Sequence, residues 1–294
     1  MNMKQEITPQ SQLQEAMKLS LEIEELLVSR DLRGMKTVQG MMLPGYCLRA
    51  AMMMQQCKGT VLIGTGFPVA GTFETDGPVG AISLYRAFEA VGATPVMVCG
   101  DPLASQLESD YTIEKLPVGE LSREERLDAA QSILEKHAPQ LVISIERPGQ
   151  AEDAGYYNMR GESITPHAAS FDEIMQEAGC PSIAIGDGGN EIGMGNVRPA
   201  LRSLDITPAV TRCSELVVAD VSNWGGHALV ALMGWLEGED LLASFDNVDV
   251  LKYLSERGSV DGVTRENTLT EDSLPAADGE AMLLALRKLT GFIE

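Results

Sequence analysis

From residue 60 onward, short apolar runs rich in β-branched residues alternate with stretches whose apolar residues recur every three or four positions, and this leaves few folds open. Runs at 60–64, 94–99, 140–146, 181–186 and 215–219 read as strands apolar on both faces. Strands of that kind belong in a parallel sheet, whose right-handed crossovers lay helices over both sides. Helices are expected between them at 78–91, 123–136 and 223–236, the first presenting Ala81, Leu84, Tyr85, Phe88 and Val91 along one side. The fold class that follows is α/β, a mostly parallel, Rossmann-like sheet with helices on both faces. Helical extensions flank it. Ala16, Leu19, Ile23 and Leu26 recur at helical spacing within 9–30, which suits packing on the body or a contact between copies in a homo-oligomer. Two more helices are expected at 248–257 and 276–289, with a polar linker around 262–272. The 294 residues are long enough for a full core and read as one domain: N-terminal helix about 9–30, core about 43–240, C-terminal extension about 246–294.

Charge and cysteine usage exclude several classes of function. The formal net charge is −21, spread along the chain, so the general field repels polyanions and nucleic acid is not an expected partner. A small anion would have to be held by backbone N–H groups or a few arginines. No apolar run is long enough for a spanning helix, and residues 1–12 lack the basic-then-apolar order of a secretory leader, so neither membrane insertion nor export is expected. The five cysteines are scattered and odd in number, which argues against a disulfide framework or zinc site and suits reduced, packed thiols in a cytoplasmic protein.

In open parallel sheets, ligands bind beyond the carboxyl ends of the strands, where loop amides and helix N-termini converge. The first strand runs into Gly64-Thr65-Gly66-Phe67-Pro68-Val69, and Glu74-Thr75-Asp76-Gly77-Pro78 opens a helix with Thr75 or Asp76 as cap. A dinucleotide fingerprint would need glycine at Val69 and a P-loop would need a lysine, so no nucleotide cofactor is expected. Thr65, Gly66, Thr75, Asp76 and Gly77 can cradle a carboxylate or phosphate, or form only a capped turn. Beyond the next strand end, Glu146 and Arg147 stand side by side, and the irregular stretch 147–166 reads as a functional loop carrying Asn158 and Arg160. Arg147 or Arg160 can clamp a substrate carboxylate, or serve an internal ion pair. The third strand end, Gly186-Asp187-Gly188-Gly189-Asn190-Glu191, gathers oxygen-bearing side chains among glycines that allow close backbone approach. Asp187 and Glu191 suit a divalent cation such as Mg²⁺ or Mn²⁺, general acid/base work, or a structural turn. At the last strand end, Ser222 or Asn223 is the expected helix cap, and Gly225 and Gly226 in the first turn hint at a closely approaching ligand. His227 suits proton transfer or a structural role, while His137 and His167 hold less promise.

Taken together, Gly64-Thr65-Gly66-Phe67, Glu74-Thr75-Asp76-Gly77-Pro78, Glu146-Arg147-Pro148-Gly149, Asn158-Met159-Arg160-Gly161 and Gly186-Asp187-Gly188-Gly189-Asn190-Glu191-Ile192-Gly193 resemble the D-glutamate cyclase family over roughly 43–235. The likeness is to the cyclase half of larger animal mitochondrial proteins. It implies a lyase of the hydro-lyase type that dehydrates D-glutamate to 5-oxo-D-proline, the α-amine attacking the γ-carboxylate. Such chemistry needs a base for the ammonium and a cation or donors to neutralise the carboxylate. The expected roles place the glycine amides of 188 and 189, with Asn158, Asn190, Asn223 and an arginine, on a small acidic amino acid. Glu146, Asp187 and Glu191 are the expected proton carriers, Asp187 and Glu191 also holding the ion. A non-catalytic binding module for an acidic metabolite is the rival of a different class. Another lyase, or a racemase acting on acidic amino or hydroxy acids, is a further alternative; a racemase needs two bases, often cysteines, and none falls at these loops.

Overall fold

The structure, a computed structural model, describes residues 9–294; the stretch read as lacking a leader begins with residues 1–8, outside the described ones. Three helices, α1 (Pro9–Leu27), α2 (Met35–Gln39) and α3 (Tyr46–Gln56), precede strand β1 (Thr60–Thr65). A small hairpin of β2 (Pro68–Val69) and β3 (Thr72–Phe73) leads to α4 (Pro78–Ala90), then β4 (Thr94–Gly100), α5 (Leu103–Leu107) and β5 (Ile113–Leu116). The second half continues through α6 (Arg123–His137), β6 (Leu141–Ile145), α7 (Asp172–Glu177), β7 (Ser182–Gly186), α8 (Arg198–Leu201), β8 (Glu215–Val218) and α9 (Ser222–Glu237). The C-terminal extension holds α10 (Asn247–Ser255), a hairpin of β9 (Thr270–Glu271) and β10 (Leu274–Pro275), and α11 (Ala276–Leu289). Among the described residues no helix is long and apolar enough to cross a membrane.

The α/β expectation holds: one six-stranded, wholly parallel sheet in the order β5-β4-β1-β6-β7-β8. Each strand read from the sequence is present within one or two residues. Strand β5 was not expected, because its Ile113-Glu114-Lys115-Leu116 lacks an apolar run and lies on the sheet edge, half-exposed. Burial of the central strands is complete on both faces, as in Leu141–Ile145 and Ser182–Gly186. Helix α9 packs against both α3 and α4, and α6 packs on α7. All five cysteines are free thiols, three of them buried.

The strand order reverses between β1 and β6, so the chain leaves their carboxyl ends in opposite directions and opens a crevice there. Where α4 and α9 begin beside this crevice, the two helices cap each other. Asp76 accepts from Ser222 N at 2.9 Å and Asn223 N at 2.7 Å, while Asn223 Oδ1 accepts from Gly77 N at 2.8 Å and Gly80 N at 2.7 Å. Asp76 also accepts from Gly77 N at 2.9 Å, so the expected local contact on α4 is kept, while the other amides at the two helix starts are capped across the join. Gly225 and Gly226 serve packing rather than an approaching ligand. A Cβ at Gly226 would stand 3.2 Å from Gly80 Cα, and one at Gly225 would stand 2.6 Å from Ile185.

Candidate active site

Strand β6 delivers Glu146 to the switch point in a left-handed conformation, φ 43°, which a non-glycine residue holds only when its surroundings fix it. Ser222 Oγ donates to Glu146 Oε2 at 2.5 Å, and Gly77 leaves the room this geometry needs, since a Cβ there would meet Glu146 Cβ at 2.7 Å. Asp187 follows the end of β7, and Asp76 reaches in from the turn before α4. One carboxylate oxygen from each of Asp76, Glu146 and Asp187 lies within 4.8 Å of the others, all three residues being buried. These residues can hold a metal ion. Glu74 and Asp272 extend the acidic floor, and Arg33 is set against it, Nη2 donating to Asp187 Oδ2 at 3.0 Å and to Asp272 Oδ2.

So many carboxyl groups in so little water cannot all ionise at their ordinary values. Burial first, then the charges of Glu191 and Asp76, pushes Glu146 well above the carboxylate range. Asp187 moves the same way through burial, with Arg33 opposing, and Glu74 through burial and Asp272. For Asp76, burial and then Asp272 outweigh the amides bound to it and push it up to about 8. Glu74, Asp76, Glu146 and Asp187 therefore hold fewer negative charges than carboxyl groups, so that a protonated member can donate while an ionised one accepts.

Above the floor opens a cavity of about 610 Å³, lined among others by Arg33, Glu74, Glu146, Asp187, Glu191 and Asp272. Its walls are loops. The stretch after β6 contributes Asn158, Met159, Arg160 and His167, anchored beneath by an apolar cluster of Phe67, Tyr156, Ile164 and Ala168. The C-terminal extension supplies Gly262, Val263, Arg265 and the Asp272-Ser273 turn, both of whose residues have positive φ, 51° and 67°. Across the mouth, Arg160 Nη2 donates to Val263 O at 3.1 Å and Arg265 Nη2 to Glu162 Oε2 at 2.8 Å. The cavity is therefore bipolar, acidic below and with two arginines at the opening.

Of the residues singled out from the sequence, Glu146, Asp187, Glu191, Asn158, Arg160 and Asn190 line this cavity. Asn190 Oδ1 is buried without a partner. Glu191 belongs to its own loop, accepting from Gly188 N at 2.8 Å and Gly189 N at 2.7 Å, so those two amides face a protein carboxylate rather than a ligand. Of the expected ion ligands Asp187 and Glu191, Asp187 is one of the three residues, with Asp76 and Glu146, whose carboxylate oxygens lie close enough together to hold an ion. Asn223 is fully buried in the reciprocal cap, and Thr75 is tied to the C-terminal extension, its Oγ1 donating to Thr270 O at 2.7 Å. Arg147 is not beside a carboxylate: it is buried, donating through Nη1 to Thr65 O at 2.8 Å and through Nη2 to Ala169 O, and its Nε lacks an acceptor. With Thr65 and Gly66 it borders a cleft of about 30 Å³ beside the main cavity. His227 lies buried in α9 next to Phe245, and burial lowers its pKa to about 4. Arg33, Arg265 and Asp272 were not picked out from the sequence and sit in stretches without a motif; Glu74 was quoted within a motif but given no role, and His167, read as holding less promise, forms part of the cavity wall.

The match to the family described as D-glutamate cyclase-like, C-terminal, spans residues 23–287. Human mitochondrial D-glutamate cyclase is 32% identical over 212 residues, 63% of this chain and 34% of that protein. The chain thus spans about a third of the length of that relative. An exopolyphosphatase-related protein from Bacteroides fragilis is similar with a TM-score of 0.43 and 10% identity, covering 86% of this chain and 62% of that one. The family match takes in every residue of the acidic floor, from Arg33 through Asp76, Glu146 and Asp187 to Asp272, and the chain belongs to the D-glutamate cyclase-like C-terminal family.

Proposed function

We propose that the chain is a lyase that dehydrates D-glutamate intramolecularly to 5-oxo-D-proline in the cavity above Asp76, Glu146 and Asp187. The observation that carries this reading is the bipolar cavity: buried carboxyl groups at the switch point suit an ammonium group, and Arg160 and Arg265 at the mouth suit carboxylates. The ammonium must lose a proton before it can attack. Glu146, in its ionised form and with its proton affinity raised by burial and by its acidic neighbours, accepts it; after the nitrogen attacks the γ-carbon and loses its second proton, both protons go to the γ-oxygen whose C–O bond breaks, and it leaves as water. A γ-carboxylate resists attack until its charge is neutralised. Protonated Asp76 and Asp187 can donate to it, and the same residues with Glu146 fit a divalent cation, being hard oxygen donors within 4.8 Å of one another. When bound, Mg²⁺ or Mn²⁺ supplies Lewis-acid polarisation of the carboxylate. The loops 158–164 and 262–265 hold the substrate bent, so that the amine and γ-carbon meet.

A proton NMR time course with D-glutamate and, separately, L-glutamate, each with Mn²⁺ or with EDTA, tests the reading. Formation of 5-oxoproline from the D-isomer alone is expected, slowed by EDTA. No product from either isomer would overturn the glutamate assignment; a rise in unfolding temperature with D-glutamate but no turnover would favour a binding module.

A further inference from the structure

We propose that Arg33, on the loop between α1 and α2, anchors a carboxylate of the substrate inside the cavity; this rests on the acidic amino acid substrate inferred above. Three observations support it. Arg33 lines the cavity and is the arginine that meets the buried floor, pairing with Asp187 and Asp272, whereas Arg160 and Arg265 are held at the mouth by Val263 O and Glu162. Its described hydrogen bonds, to Asp187, Asp272 and Asp220 O, all leave from Nη2, and Nε is buried without an acceptor. Nη1 makes none of these bonds, which leaves it to offer N–H groups to a carboxylate.

The third observation is how the loop is held. Asp220, buried after β8, accepts from Arg30 N at 2.8 Å and Leu32 N at 3.2 Å, while its own N–H donates to Leu27 O at 2.7 Å. Asp31 and Gly34, with φ of 51° and 76°, bend the chain on either side. A buried carboxylate and two left-handed residues thus fix the approach of one side chain, Arg33, to the floor. Arg33 is thus the cationic group that an anionic substrate would meet beside Glu74, Glu146 and Asp187 at the floor.

A merely structural role, in which Arg33 neutralises Asp272, is distinguished by a double variant. Binding of glutarate, a dicarboxylate without the amine, is measured by calorimetry for wild type, Arg33→Lys, Arg33→Met and Arg33→Met with Asp272→Asn, each checked for folding by circular dichroism. Turnover of D-glutamate is followed in parallel. The anchor predicts glutarate affinity at least tenfold weaker in Arg33→Met, partly retained in Arg33→Lys, and not restored in the double variant. Affinity within twofold of wild type in Arg33→Met, recovery in the double variant, or no glutarate binding by wild type overturns it. Absence of turnover by wild type overturns the reaction instead, and leaves the glutarate comparison to decide the anchor.

Discussion

At the scale of single residues, the site depends on groups held where they are uncomfortable. Glu146 combines a left-handed backbone with a buried position, and Gly77 is the neighbour that permits it. Adding one methyl group at Gly77 forces both a Cβ into φ 93° and a contact of 2.7 Å with Glu146 Cβ. Gly77→Ala is therefore expected to destabilise by about 2–4 kcal/mol, from the left-handed penalty plus overpacking, as read from urea unfolding. A cost below about 0.5 kcal/mol would mean that the two residues do not constrain each other. Glu146→Gln keeps the shape and removes the titrating group. If Glu146 carries the proton, kcat falls by roughly 10²–10⁴-fold. Its unfolding temperature should not drop, because a buried acid that strains against its neighbours becomes a neutral amide. Unchanged kcat would move the proton to another carboxylate of the floor.

At the scale of elements, the join between α4 and α9 is the part that can be tested most directly. Asn223 accepts from two amides of α4 and donates to Thr75 O at 3.2 Å and Glu271 Oε1 at 2.8 Å. Asn223→Ala leaves buried donors unpaired at the start of α4 and should cost about 3–5 kcal/mol in denaturant unfolding. A loss under about 1 kcal/mol would show that the helices do not need each other's caps. The same join shows what the sequence reveals and what it hides. Strands β1, β4, β6, β7 and β8 were legible because full burial leaves uninterrupted apolar runs, whereas β5 was not, its Glu114 and Lys115 being tolerated on the sheet edge. Glu146, Asp187 and Glu191 were legible as carboxylates at strand ends. The function of Asp76 as a buried acid was not, because its bond to the neighbouring Gly77 N reads as a local cap, while its other two amide partners lie 146 and 147 positions away. Arg33 and Asp272 meet across 239 positions, from stretches with no motif, and only the packing of both extensions onto the crevice brings them together.

For the molecule as a whole, a core that holds acids protonated must show it in the pH dependence of stability. Burial raises Asp76 to about 8 and Glu271 to about 7, from ordinary values of 3.8 and 4.5. Between the ordinary and raised values the folded chain binds more protons than the unfolded one, so these groups make stability fall as pH rises. His227 acts in the opposite sense: burial lowers it from 6.5 to about 4, the unfolded chain takes the proton first, and its contribution makes stability fall as pH drops below 6.5. Below pH 6.5 the two effects oppose each other, and between 6.5 and 8 the carboxyl groups act without that opposition. In EDTA, the unfolding temperature of wild type should therefore decline over that upper window, and Asp76→Asn should decline less. A divalent cation held by the floor, as proposed, would reverse the trend, because it needs the carboxylates ionised and binds only the folded arrangement. Mn²⁺ should raise the unfolding temperature more at pH 8 than at pH 5.5, and Asp187→Asn should abolish most of that gain. Equal shifts at the two pH values, or none at pH 8, would separate the acidic floor from metal binding and leave protonated Asp76 and Asp187 as the groups that neutralise the substrate.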